Sequence, residues 1–360
     1  MFFNWPCGQN RGRKDDPSMG GPVPTDLRGS VWNGAVKRAG LGMASSLLVV
    51  VVIVLMAAAS AAATAPVLSF RVFASSGIKL ADILWTGTRF LYLENTTNTV
   101  WSANAAGAPL QQFASMPNET EETRCRLSPG THGFAPGDIY CHAPDNTIYR
   151  ISPSGTVTQF AKLSDTATSD GALTFDNVGR FGYTLVAATG RSGGATPAGG
   201  AVYTISATGQ VQTVGTYSSP GGADEVAIAP AGFGSAAGEA ILTVDAGPMG
   251  EILAVDSHGA IRTIARLPDG PNPIAVIPTV VATGNASPPR GLYVTDTNSQ
   301  NVLFAPPAQL APYAGDIVVA TEIKGEVWIV RPHGQGFQTR RVASTLPATN
   351  GNLEGATYIG

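Results

Sequence analysis

Residues 239–265 read EAILTVDAGPMGEILAVDSHGAIRTIA, and the pattern of this stretch indicates the fold class. Apolar and polar residues alternate through it, as they do along a β-strand with one buried face. Turn residues at Gly247-Pro248 and His258-Gly259 divide the stretch into three short strands, because glycine supplies the positive φ that tight hairpins need. The stretch therefore predicts three consecutive antiparallel strands of one small sheet.

The same pattern recurs along most of the chain. Glycines of the outer hairpin turns, such as Gly155, Gly209 and Gly259, lie about 50 residues apart, which is near the size of a four-stranded propeller blade. A sheet this small buries its faces only by stacking on other sheets around an axis. The copies of the pattern cover residues 89–114, 137–161, 181–215, 239–265, 291–307 and 315–343.

An additional apolar segment precedes most hairpins and is predicted to be the innermost strand of its blade. An outer strand predicted at Ser69–Ala74 and an inner strand at the far end indicate a ring closed by both ends of the chain. The fold class is therefore all-β, a β-propeller of four-stranded blades. The inner strands are predicted at Leu80–Thr86, Gly130–Ala135 (weaker), Asp170–Asp176, Asp224–Pro230, Pro273–Val280 and Leu353–Ile359.

These segments give a count of six blades, with five or seven left open by one segment. Residues Asn301–Pro307 read either as the third strand of one blade or as the first strand of the next. The second alternative is favoured, because VAIAPAGFGSAAGEAILTVD resembles VLFAPPAQLAPYAGDIVVAT, in which this segment occupies the first-strand position.

The N-terminal region indicates export. Residues 1–40 form a polar, basic tail, and residues 41–65 are uncharged with an apolar centre, LLVVVVIVLM, followed by alanines. This pattern fits a signal peptide cleaved near Ala61–Ala65, and its length also allows a retained signal anchor. Either alternative places residues 66–360, the propeller domain, outside the cytoplasm, with membrane contact only through 41–65 if the segment is retained.

Two cysteines follow the export segment. Cys125 and Cys141 form an even pair, and in an oxidising compartment a disulfide between them is predicted. The alternative is two unpaired thiols. No CxxC or HxxxH spacing accompanies them, which disfavours a zinc site.

Loops that enter innermost strands converge on the propeller axis, so polar residues at their ends are candidates for a site. Oxygen ligands of this kind suit Ca²⁺ or Mg²⁺. Asp and Asn also cap strands and make turns, which is the alternative interpretation. A second ring of polar residues ends the second strands, where solvent-facing turns are favoured. The first set is Asp82, His132, Asp170, Asp224, Glu225, Asn272 and Glu354, and the second ring is Glu94, His142, Asp245, Asp296 and Glu322.

The second strands GLYVTDT (291–297) and GDIVVATE (315–322), with the hairpins SPSGTV (152–157) and SHGAI (257–261), resemble a known group of six-bladed propellers. These are the NHL-repeat and senescence-marker/gluconolactonase-like proteins, and the resemblance covers roughly residues 68–360. Blade motifs of this kind specify packing rather than chemistry.

The resemblance implies a divalent metal on the axis, held by Glu, Asn and Asp side chains of inner strands. It assigns Asp170, Asp224, Asn272 and Glu354 as metal ligands, and Asp82, His132 and Glu225 remain as axial-pocket residues. The family's Glu-Gly-Pro-x-Trp motif is reduced here to LADILW (80–85), and Glu354-Gly355 is the Glu-Gly pair in a comparable place.

Composition narrows the function classes. The net charge of −3 gives no basic surface for nucleic acid. No Gly-x-Ser-x-Gly nucleophile elbow is present. We therefore expect an exported binding module for a small ligand or a protein at the axial face. The alternative is a metal-dependent hydrolase of the lactonase type.

Overall fold

A computed structural model describes residues 67–97, 99–117, 122–165, 170–190, 199–246, 249–342 and 352–360. These residues form six antiparallel sheets of four strands each. The sheets are the blades of a six-bladed β-propeller, which confirms the predicted fold class and blade count.

The strands are numbered in chain order. The first twelve are β1 (Arg71–Ser75), β2 (Leu80–Trp85), β3 (Phe90–Glu94), β4 (Thr99–Ala103), β5 (Gln111–Ser115), β6 (Arg124–Leu127), β7 (Ile139–His142), β8 (Thr147–Ile151), β9 (Val157–Lys162), β10 (Ala172–Phe175), β11 (Leu185–Ala188) and β12 (Gly200–Ile205). The next twelve are β13 (Val211–Tyr217), β14 (Gly222–Ile228), β15 (Ala240–Asp245), β16 (Gly250–Val255), β17 (Ile261–Leu267), β18 (Pro271–Val276), β19 (Gly291–Asp296), β20 (Asn301–Ala305), β21 (Ile317–Thr321), β22 (Val327–His333), β23 (Gly336–Val342) and β24 (Leu353–Ile359). A short helix α1 (Pro307–Leu310) and 3₁₀ turns at Gly234–Ala236 and Ala311–Tyr313 complete the described elements.

Blades 1 to 4 each use four consecutive strands, from β2–β5 to β14–β17, with the first strand innermost. Blade 5 has the order β18-β21-β22-β23, and blade 6 has the order β24-β19-β20-β1. The hairpin of β19 and β20 therefore belongs to blade 6, although in sequence it lies between the first and second strands of blade 5. Closure by both ends of the chain, as predicted, occurs in blade 6.

This interleaving corrects the interpretation of Asn301–Pro307 as the first strand of a blade. The strand β20 is the third strand of blade 6, where it pairs with β19 on one side and with β1 on the other. The likeness to the stretch before β15 misled because both segments run into a short helical turn ahead of a second strand.

The predicted inner strand at Gly130–Ala135 is also wrong. Gly130, His132 and Gly133 all have positive φ, which a continuous β-strand does not accommodate. The inner strand of blade 2 is instead β6, whose register on β7 places Cys125 opposite Cys141.

Alternate residues of one strand pack against different neighbouring blades. In β3, Leu91 and Leu93 join a core cluster with Ile139 of blade 2. Phe90 and Tyr92, on the opposite face, join a cluster with Tyr293 of blade 6. Both faces of β3 are therefore buried, as stacking around an axis requires, and Phe90–Leu93 is accordingly a continuous apolar run.

The basic tail 1–40 and the export segment 41–65 lie outside the described residues. In the part of the chain that the structure describes, none of the helices has the length and apolar character needed to cross a bilayer.

Candidate functional site

The innermost strands β2, β6, β10, β14, β18 and β24 surround the axis, and Arg124 at the start of β6 fills it. The Arg124 side chain is completely buried. Its Nη1 donates to the carbonyl of Ala81 in blade 1. Its Nη2 lies 2.9 Å from Asn272 Oδ1 in blade 5 and 3.1 Å from Glu354 Oε2 in blade 6. Its Nε also donates to the carbonyl of Asp224 in blade 4, so one side chain on blade 2 links the inner strands of five blades.

Arg126 forms a second layer two residues further along β6. Its Nη1 lies 2.9 Å from Asp82 Oδ2, and its Nη2 lies 2.6 Å from Glu225 Oε1. Asp82 and Glu225 are fully buried, and Asp82 also accepts the backbone N–H of Cys125. Residues i and i+2 of a strand face the same side, so both arginines point to the axis.

Carboxylates gather at the end of the axis where the inner strands begin, which we call the acidic end. Glu122, Glu322 and Glu354 each offer an oxygen, and these three oxygens lie within 4.8 Å of one another. Glu122 Oε2 is 2.8 Å from Arg124, and Asn272 Nδ2 donates to Glu322 Oε1 at 3.2 Å. Glu354 Oε1 is buried and has no hydrogen-bond partner among the described residues.

Asp170 and Asp224 form a carboxyl pair beside this cluster. Burial raises the pKa of Asp224 well above its ordinary value, and the charges of Asp170, Glu322 and Asp245 add to the effect. Asp224 also shares a side-chain hydrogen bond with Asp170. This hydrogen bond requires a proton on one carboxyl group, and the raised pKa of Asp224 indicates that Asp224 carries it.

Burial likewise raises the pKa of Glu354, and the nearby charge of Glu122 raises it further against the opposing effect of Arg124. Burial raises the pKa of Glu322 as well. For Arg124, burial acts to lower the pKa, but Glu122 and Glu354 outweigh it and hold the pKa above its ordinary value. The acidic end therefore favours either protons or a cation on its carboxyl groups.

A disulfide fastens the strand that carries both arginines. Cys125 and Cys141 are bonded, with their Cα atoms 4.1 Å apart, and both are fully buried. The predicted pairing is confirmed. Cys125 lies between Arg124 and Arg126 in sequence and points the opposite way, into the core between blades 1 and 2.

The structure brings together most of the residues predicted from the sequence, in two groups. Asn272 and Glu354 bind Arg124, and Asp170 and Asp224 lie beside them. Asp82 and Glu225 bind Arg126 in the deeper layer. Of the second ring, Asp245 and Glu322 reach the acidic end.

His132 lies apart from these groups. It is exposed in the loop between β6 and β7, and its ring stacks on that of Tyr183 with centroids 4.0 Å apart. His142 is buried, with Nδ1 3.0 Å from the carbonyl of Ala172 and Nε2 3.2 Å from Asn146 Oδ1. Burial lowers the pKa of His142, so it is a neutral structural side chain.

Sequence reasoning missed Glu122, Arg124 and Arg126. Their signal is the alternation of charges in Glu-x-Arg-x-Arg (122–126), which places all three on one face of a strand. From the sequence alone, such a row of charges indicates a solvent-exposed strand face.

The four residues that the family resemblance assigns to a metal do not fit it as a set. Asn272 Oδ1 and Glu354 Oε2 already accept from Arg124, and Asp170 is engaged with Asp224. Among the described residues, the group in which three carboxylate oxygens converge is Glu122, Glu322 and Glu354, and Glu354 Oε1 is the oxygen of this group that is buried without a partner.

No protein-family model and no curated protein matches this chain. Among solved structures, the chain is similar to one in a nidogen/laminin complex, at 8% identity over 81% of this chain and 84% of that chain, with a TM-score of 0.46. It is similar to an auxiliary nutrient binding protein from Bacteroides thetaiotaomicron VPI-5482, at 10% identity over 73% of this chain and 56% of that chain, with a TM-score of 0.47. A third is a functionally unknown protein from Desulfotomaculum acetoxidans DSM 771, at 12% identity over 78% and 74% of the chains, with a TM-score of 0.43. Similarity at this level carries no argument about function.

Proposed function

We propose that the protein is an exported binding propeller whose acidic end holds a divalent cation, with Ca²⁺ as the preferred ion. The ligands are Glu122, Glu322 and Glu354, with water completing the shell. Carboxylate oxygens are hard ligands, and Ca²⁺ accepts irregular geometry and bidentate carboxylates more readily than Mg²⁺. This site is a refinement of the predicted axial metal site.

The observation that carries the proposal is the buried Oε1 of Glu354. A buried acceptor without a donor costs about 1–3 kcal/mol, and more when the group is charged. No amide, hydroxyl or guanidinium donor is recorded for this oxygen among the described residues, and the neighbouring Glu322 carboxyl can donate only when it is protonated. A cation shared with Glu122 and Glu322 would satisfy this oxygen.

The charge balance along the axis supports the same proposal. Eight carboxyl groups lie on the axis or directly beside it, against two guanidinium groups, Arg124 and Arg126. Like charges at this spacing in a partly dry site repel strongly. A bound dication relieves the excess without protonating the carboxylates. The carboxyl groups are those of Asp82, Glu122, Asp170, Asp224, Glu225, Asp245, Glu322 and Glu354.

Calorimetric titration of the EDTA-treated protein with Ca²⁺, and separately with Mg²⁺, tests this. We expect one site per chain, tighter for Ca²⁺, and at least a tenfold loss of affinity in Glu322→Gln and Glu354→Gln. The matched control is Glu326→Gln, a carboxylate paired with Arg341 away from the axis. Absence of Ca²⁺ binding to the folded wild-type protein would refute the site.

Export is proposed on two grounds. The uncharged segment 41–65 follows a basic tail, and the Cys125–Cys141 disulfide suits an oxidising compartment. Mass spectrometry of the protein recovered from culture medium and from membranes distinguishes cleavage near Ala61–Ala65 from a retained anchor. A full-length chain found only in the cytosol, with free thiols, would contradict export.

A second candidate, a metal-dependent lactonase of the gluconolactonase-like type, is favoured by one observation. The hydrogen-bonded carboxyl pair of Asp170 and Asp224 lies beside the proposed cation site, where hydrolysis needs a proton donor and acceptor. Assay of aldonolactone opening with Ca²⁺ tests it, and loss of turnover in Asp170→Asn with Ca²⁺ affinity kept would support it. Calcium binding without any lactone hydrolysis would rule out the lactonase and leave the binding propeller as the remaining proposal.

A further inference from the structure

A separate cavity of about 230 Å³ lies on the axis at the end opposite the acidic end. It is lined by the last residues of inner strands from blades 2 to 6, so it is central rather than a groove between two blades. This volume equals that of about eight molecules of liquid water, which limits a ligand to about the size of a single ring.

Arg126 forms the polar floor of this cavity. Nη1 donates to Asp82 and to the Cys125 carbonyl, and Nη2 binds Glu225. The Nε–H and one Nη2–H have no partner in the described residues, and the side chain is 20% exposed. These two hydrogens are donors that a ligand oxygen can use.

The charge around the floor excludes an anion. The Arg126 guanidinium is already flanked by two buried acids, Asp82 and Glu225, so a ligand carboxylate or phosphate would meet net negative charge. A cationic ligand would be repelled by the Arg126 guanidinium that it has to contact. A neutral oxygen acceptor can accept from the guanidinium and is not repelled by the two acids.

The walls combine apolar and polar groups. Thr174 and Asn177 supply a hydroxyl and an amide, and the half-buried Tyr358 supplies a ring edge. Phe175 and Ile274 also line the cavity, but their side chains lie mostly in the cores between blades. The accessible lining is therefore more polar than apolar, which suits a ligand with several hydroxyl groups. We infer that this cavity binds a neutral, hydroxylated single-ring ligand such as a sugar or cyclitol, with its hydroxyl oxygens on Arg126.

The cavity is independent of the proposed cation site. The proposed cation ligands Glu122 and Glu354 contact Arg124, whereas the cavity is lined by Arg126, two residues further along β6. Binding is therefore tested with EDTA present, so that failure of the cation proposal and failure of this one are distinguishable.

The test is a calorimetric and saturation-transfer NMR titration of the full chain with methyl glucoside and myo-inositol. We expect a dissociation constant of about 1–10 mM for at least one probe, as suits a small pre-formed site. Asn177→Trp, at the exposed rim, and Thr174→Leu, on the wall, are each expected to weaken binding at least tenfold. Ser154→Trp, in an exposed hairpin turn of blade 2, is the matched control with unchanged affinity.

Far-UV circular dichroism and the thermal midpoint establish that each variant is folded. If Thr174→Leu does not fold, the test depends on Asn177→Trp alone, because a substitution at an exposed position is not expected to prevent folding. The inference is overturned by absence of binding of both neutral probes, by equal binding in wild type and Asn177→Trp, or by tighter binding of acetate or methylammonium.

Discussion

Arg124 is the residue on which the acidic end depends. It is the largest completely buried side chain among the described residues, and its contacts reach blades 1, 4, 5 and 6. Its guanidinium already neutralises part of the carboxylate charge on the axis. The proposed cation would therefore add to the positive charge that the Arg124 guanidinium already provides.

Replacing Arg124 with Met removes the guanidinium that Glu122, Glu354 and Asn272 share and leaves the buried Glu354 without its cationic partner. Removal of one partner of a buried ion pair costs about 3–5 kcal/mol, because the remaining charge stays desolvated. Urea unfolding, with EDTA present, measures the change. The control is Lys162→Met, because Lys162 and its partner Asp145 are both about half exposed, at 48% and 50%, and there we expect less than about 1 kcal/mol. Equal losses in the two variants would contradict the axial role of Arg124.

Asp224 makes stability depend on pH without a cation. Its folded-state pKa is raised by burial and by Asp170, so the folded state binds more protons than the unfolded chain. Stability is fully present below the unfolded pKa of about 4 and falls as pH rises, by up to about 1.4 kcal/mol per pH unit, until the folded pKa is passed. Urea unfolding in EDTA from pH 4 to 8 should show this slope, and Asp224→Asn should flatten it. An equal slope in both proteins would show that Asp224 does not titrate.

At the level of elements, β24 depends on one glycine. A Cβ built on Gly355 would lie 2.5 Å from the Cα of Asp82, so β24 approaches the backbone of β2 as closely as only glycine permits. No ordinary Cβ contact is that short, and the neighbour is backbone, which does not move aside easily.

Gly355→Ala is therefore expected to destabilise the protein by about 1–3 kcal/mol through overpacking. It should also displace Glu354 and weaken Ca²⁺ binding. Gly336→Ala is the matched control, because Gly336 lies in β23, lacks a positive φ and has nothing within 4 Å of its Cβ position. Thermal unfolding and calcium titration of both variants make the comparison, and equal behaviour would contradict the close packing of β24 on β2.

Most inner strands could be predicted from the sequence because they are apolar segments of fixed spacing. Leu353–Ile359 was predicted with the bounds it has in the structure. The strand β6 was not, because Arg124 and Arg126 give its axial face the charge of a solvated strand. Asn272 and Glu354 were foreseen as axial, whereas their guanidinium partner was not, since only three-dimensional convergence reveals a buried arginine among acids.

At the scale of the whole molecule, the sequence order of blades 5 and 6 differs from their order in space. A repeat pattern shows which segments are strands, but it does not state which blade a hairpin joins. The hairpin of β19 and β20 has the same local pattern in either blade, so its assignment required the register with β24 and β1.

Blades 5 and 6 are expected to open as one cooperative unit. Separating β18 from β21 disturbs both connections of the β19–β20 hairpin, which completes blade 6. Native-state hydrogen exchange should therefore give peptides from β19 and β21 the same opening free energy to within about 0.5 kcal/mol. Blade 3, built from consecutive strands, is the comparison. A difference above about 1 kcal/mol between β19 and β21 would contradict the coupling.

The interleaved β19–β20 hairpin also determines the order in which the strands can pair during translation. Blades 1 to 4 can each form as soon as their own strands leave the ribosome or the export channel. Strand β1 emerges first, yet its partner β20 follows it by 226 residues, counted from Ser75 to Asn301. Strand β20 and its neighbour β19 then wait for β24, which is made last. The nascent chain must hold its earliest strand unpaired through most of translation, and contacts this distant in sequence form slowly.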